Sequence, residues 1–155
     1  MALTTLSSSY ALLQQPHRVI VGNPCIPCAS AIASKDLRFG NGGRDKLCGC
    51  QSNDTLYGPK GYDYLIGGLG NDILSGGMGR DRFFLTAGSG PNLITDLTKD
   101  EDLLLLDRGL TFAQLSITQN VNAAFIRIGQ NNQLLAAVNG VLASAIDVND
   151  FTIFG

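Results

Sequence analysis

Aspartate recurs every nine residues at Asp36, Asp45, Asp54, Asp63, Asp72 and Asp81. Nothing else in the chain constrains the fold so tightly. From Asp45 onward a glycine stands five residues earlier, at Gly40, Gly49, Gly58, Gly67 and Gly76. Two residues before the aspartate come Gly43, Gly61, Gly70 and Gly79, with Ser52 the exception. Two residues after it comes Leu47, Leu56, Leu65, Leu74 or Phe83. The unit is Gly-Gly-x-Gly-x-Asp-x-apolar-x, complete at GGLGNDILS and GGMGRDRFF, where Gly67, Gly68, Gly76 and Gly77 supply the leading pairs. The copies depart at Asn41, at Cys50 and Ser52, and at Pro59. An earlier segment, AIASKDLRF, keeps Asp36 but has Arg38 at the apolar place.

A fixed short period means a solenoid in which each unit buries its apolar face only against its neighbours. The glycine half makes a tight turn at positive φ, and the x-apolar-x half is a short strand whose central side chain points inward. Two units complete one coil, so turn n stacks on turn n+2. Stacked carboxylates then lie about one strand spacing apart, ~5 Å, and repel unless a cation lies between them. Turn carbonyls and carboxylates form an all-oxygen shell that suits Ca2+ better than the smaller, octahedral Mg2+. The expected pairs are Asp45 with Asp63, Asp54 with Asp72, and Asp63 with Asp81, giving two to three ions. Gly43, Gly61, Gly67, Gly68, Gly70, Gly76, Gly77 and Gly79 form the turns. The 63/81 pair ranks first and 54/72 is weakened by Ser52. A pairing of Asp36 with Asp54 is not expected, because the leading segment is degenerate.

These residues resemble the hemolysin-type calcium-binding repeat family, RTX. The resemblance implies an all-β chain: a short parallel β-roll over 40–84, a β-rich cap over 85–155, and an irregular N-terminal arm or targeting leader over 1–39. The segment after Phe84 is similar to the flank that follows such arrays in many bacterial, especially cyanobacterial, proteins. That flank has an aromatic strand at 83–85, a Gly-Ser-Gly turn at 88–90, an Ile-x-Asp-Leu unit at 94–97, an acidic turn at 100–102 and an apolar strand at 103–106. Read directly, the tail gives strands at 115–119, 125–128 and 134–138, an Asn131-Asn132 hairpin turn, a helical turn near 141–146, and a last strand after 147–150. Asp96, Asp100, Asp102 and Asp107 offer an additional ion site, but 100–102 reads first as a solvated acidic turn.

Composition limits the alternatives. Twelve of the 13 acidic residues are Asp, which suits turns and hard-cation ligands. Net charge is −2, against a nucleic-acid partner. No apolar run reaches the length of a membrane span. His17 is the sole histidine, and neither His-Glu-x-x-His nor Gly-x-Ser-x-Gly occurs, so a binding module is expected and not an enzyme. Cys25, Cys28, Cys48 and Cys50 allow a Zn2+ site, two disulfides or unpaired thiols, and unpaired thiols are the expectation. The family resemblance implies a secreted, extracellular protein that folds on meeting calcium, with a type I secretion apparatus or a cell-surface partner. An adhesive surface protein, or the C-terminal fragment of a larger exported protein, remains the alternative. The Ser- and Thr-rich, acid-poor leader points instead to a plastid or other organelle.

Overall fold

The structure is a computed structural model that describes residues 17–21 and 34–154. Short strands alternate between two sheets that face one another across two columns of core side chains. One sheet runs β1 (His17–Val21), β2 (Lys35–Phe39), β5 (Thr55–Tyr57), β8 (Ile73–Ser75) and β11 (Asn92–Ile94). The other runs β4 (Lys46–Gln51), β7 (Tyr64–Leu69), β10 (Arg82–Leu85), β12 (Leu103–Leu106) and β16 (Phe151–Ile153). All of these neighbours pair in parallel. A third ladder, β3 (Gly42–Gly43), β6 (Lys60–Gly61) and β9 (Met78–Gly79), lies along one edge, where the glycine turns stack.

Register explains the nine-residue rule. Leu47 pairs with Leu65, Leu65 with Phe83, and Phe83 with Leu104. On the facing sheet Leu56 pairs with Leu74 and Leu74 with Ile94. All seven are fully buried. At ~1.5–3 kcal/mol for each buried side chain of this size, these columns are the main apolar stabilisation of the roll.

The period stops at Phe84 but the coil does not. β11 and β12 each add one more strand to the two sheets, with the step lengthened from 18 to 21 residues along the Asp81 edge. The chain then closes the end. β13 (Leu115–Asn120), β14 (Ala123–Ile128) and β15 (Leu134–Asn139) form an antiparallel meander, while β15 and β16 lie parallel on β11 and β12. The expected tail strands, the hairpin at Asn131-Asn132 and the short helical turn (a 3-10 turn at Ala143–Ala145) are present. The meander covers an edge that would otherwise present unpaired backbone groups. At the front, β2 belongs to the same sheet although it precedes residue 40. Arg38 takes the core place above Leu56 at 5% exposure, its guanidinium 2.8 Å from the Asp36 carboxylate.

Candidate metal-binding ladder

Each turn delivers its aspartate to the same place. Asp45, Asp63 and Asp81 lie along one edge, and Asp36, Asp54 and Asp72 along the other. The carboxylates of Asp54, Asp63, Asp72 and Asp81 reach back across one coil. Asp54 Oδ1 accepts the Asp36 N–H at 2.7 Å, Asp63 Oδ1 that of Asp45 at 2.8 Å, Asp72 Oδ1 that of Asp54 at 2.8 Å and Asp81 Oδ1 that of Asp63 at 2.8 Å. The three expected pairs are therefore brought together, and Asp36 with Asp54 forms a fourth pair in the same geometry.

The second oxygens carry the chemistry. Oδ2 of Asp54, Asp63, Asp72 and Asp81 is buried without a hydrogen-bond partner. These four residues are at most 1% exposed. An orphaned buried acceptor costs on the order of 1–3 kcal/mol, and more when it is charged. Each faces the glycine five residues earlier. A Cβ on Gly49, Gly58, Gly67 or Gly76 would fall on that oxygen, so the first glycine of each unit keeps open the space in front of the carboxylate. Burial pushes Asp54 and Asp81 from 3.8 to about 7, ahead of repulsion by neighbouring aspartates. Asp63 and Asp72 are raised for the same first reason. Desolvation thus exceeds the like-charge repulsion that the spacing alone emphasises.

Three of the ladder's four ends are closed by the protein. Asp36 pairs with Arg38 and also accepts from Ser34. Asp45 Oδ2 accepts the Asn41 N–H at 2.9 Å. At the far end Asp102 Oδ1 accepts the Asp81 N–H, while its Oδ2 accepts the Thr98 N–H, both at 2.8 Å. Asp102 is 3% exposed, so the expectation of a solvated turn at 100–102 is corrected for this residue: the strand that follows places it on the Asp81 column. The trace in the sequence is Asp102-x-Leu104, with Asp100 at φ +66 where a repeat has its turn glycine. Asp96, expected with Asp100, Asp102 and Asp107 as an additional ion site, serves a glycine turn instead. It accepts from Ser75 Oγ and from the N–H groups of Gly76 and Gly77, and so caps the fifth turn.

The glycines behave as the repeat requires, and their replacements show the cost. Gly43, Gly61, Gly68, Gly70, Gly77 and Gly79 all have positive φ. Cys50 and Ser52 occupy the same two turn positions at φ 84 each, a region that penalises any Cβ by ~1 kcal/mol. The turn expected to be weakest is also the strained one.

Cys48 and Cys50 are disulfide-bonded, which corrects the expectation of unpaired thiols at these two positions. Spacing along the chain does not reveal which sulfurs the fold brings together. Disulfide sulfur is not a thiolate ligand, so these two do not offer the sequence-level Zn2+ site. Cys25, Cys28 and the leader lie outside the described residues. Among the described residues no cluster of three or more His, Cys, Asp or Glu is arranged around a metal position. A cation on the ladder would therefore draw on paired aspartates and backbone carbonyls. No helix among these residues is long and apolar enough to cross a membrane.

Fold and site together define a parallel β-roll with oxygen-lined turns. Residues 51–83 match the RTX calcium-binding nonapeptide repeat, in four copies. The chain is similar in fold to the R3 subunit of the mannuronan C5-epimerase AlgE6 from Azotobacter vinelandii, with a TM-score of 0.59 and 23% identity over 84% of this chain and 82% of that one. No curated protein sequence matches it.

Proposed function

We propose that this chain is a calcium-binding β-roll module whose folding is coupled to the ion, acting by binding and not by catalysis. The observation that carries this reading is the set of four buried carboxylate oxygens without partners at Asp54, Asp63, Asp72 and Asp81. A divalent cation in front of them supplies the charge that burial demands, and hard oxygen donors select Ca2+ over softer metals. Carboxylates of adjacent turns and carbonyls of the glycine turns would hold it. Because these oxygens converge only when the turns stack, binding free energy is folding free energy. The match of residues 51–83 to a calcium-binding repeat supports the choice of ion. Each of the three pairs read from the spacing has an open oxygen, at Asp63, Asp72 and Asp81, and Asp54 adds one for the pair with Asp36.

The repeat match and the disulfide-bonded Cys48 and Cys50 both support a protein of an oxidising, extracellular compartment. The test is a calcium titration of the full chain by far-UV circular dichroism, with a magnesium control. The expected result is a cooperative gain of β signal between about 10⁻⁴ and 10⁻³ M calcium, the range of extracellular modules. A spectrum indifferent to both metals overturns the reading.

A further inference from the structure

We infer that the array holds one more cation position, between turn 67–72 and a cryptic sixth repeat at 87–95, where the amide oxygen of Asn92 takes the place of the aspartate. This rests on the calcium reading above. The nine residues AGSGPNLIT follow the repeat with Ala87 for the first glycine and Asn92 for the aspartate, shifted two residues by Leu85 and Thr86. The repeat match ends at residue 83 and does not reach them.

The backbone of 87–95 is that of a repeat. Gly88 has φ 80, as Gly77 does at the same place, and Gly90 has φ 106 where Gly70 has 133. A Cβ on Gly90 would strike the carbonyl oxygen of Gly70, just as one on Gly70 would strike that of Ser52. The turns are therefore stacked equally closely. Gly70 N–H donates to Ser89 O at 2.7 Å. Leu93 N–H donates to Asp72 O at 2.7 Å, the bond that Ile73 N–H makes to Asp54 O at 2.8 Å one coil earlier. Ile94 then takes the core place over Leu74, fully buried.

Asn92 stands at the next rung of the Asp36, Asp54 and Asp72 column. It is 3% exposed, and its Oδ1 is buried with no hydrogen-bond partner, as is Oδ2 of Asp54 and Asp72. The far end of the other column differs, since both oxygens of Asp102 are taken by backbone N–H groups. A buried amide oxygen without a donor is a loss that a hard cation removes, and Asn carbonyls are ordinary Ca2+ ligands. With an amide for a carboxylate, this position carries one negative charge fewer than the others and fills last.

The test is calcium binding to the full chain by equilibrium dialysis and calorimetry, comparing wild type with Asn92→Leu and Asn92→Asp. Asn92→Leu is expected to lose one ion and keep the rest. Asn92→Asp is expected to keep the count and tighten the weakest step about tenfold, since ligand charge sets affinity at such sites. If both variants match wild type in count and constants, the sixth position is overturned while the calcium reading stands. If Asn92→Leu does not fold, an unchanged weakest step in Asn92→Asp overturns it alone. A wild-type chain that binds no calcium overturns both.

Discussion

The metal-free chain should gain stability on acidification. Asp54 and Asp81 sit at about 7 in the folded chain against 3.8 for an unperturbed carboxyl, raised by burial. Between those values the folded chain holds protons that the unfolded chain has released. Stability is therefore fullest below about pH 4 and is lost as pH rises through 7. A shift of about three units is worth ~4 kcal/mol for each group at 1.36 kcal/mol per unit. Two of those units lie between pH 5 and 8, so each group contributes ~2.7 kcal/mol over that interval. The two are at most 1% exposed and lie on opposite edges, so solvent screens them little and their effects add, to ~5 kcal/mol. Asp63, Asp72 and Asp102, raised in the same direction and for the same reason, act with them. Against a typical domain stability of ~5–15 kcal/mol, that leaves little folded roll at pH 8 in chelator. The assay is urea unfolding followed by circular dichroism in EDTA, from about pH 5 to pH 8. The expected midpoint falls steadily with pH. With calcium in excess the trend reverses, because protons then compete with the ion for the same oxygens. A midpoint in EDTA that is flat, or that rises with pH, refutes the assignment of burial as the source of the open carboxylates.

Two further outcomes follow from the turn geometry. Ser52→Gly should stabilise the calcium-loaded chain by ~1 kcal/mol, read as a raised thermal midpoint, because Ser52 now sits at φ 84 with a Cβ. Gly61→Ala should abolish the calcium-dependent β signal: with φ +137, its Cβ would lie inside the carbonyl oxygen of Gly43, backbone that cannot move without parting two coils.

The nine-residue period by itself determined the roll, the in-pointing leucines and the pairing of aspartates two units apart. Those facts are local and repeated, so one strand spacing and one turn geometry generate all of them. The tertiary structure decided where the ladder begins, where it ends and which oxygens stay open. Asp36 enters the column because Arg38 is buried beside it. Asp102 closes a column from 21 residues away because a lengthened coil still returns to register with Asp81. Asn92 reaches its rung through a two-residue offset that hides it from any fixed period. Cys48 and Cys50 are disulfide-bonded, an outcome that their spacing left open. Each of these depends on backbone partners distant in sequence. Hydrogen bonds between coils need only matching register and not matching residues, so the roll continues past the point where its repeat can be read.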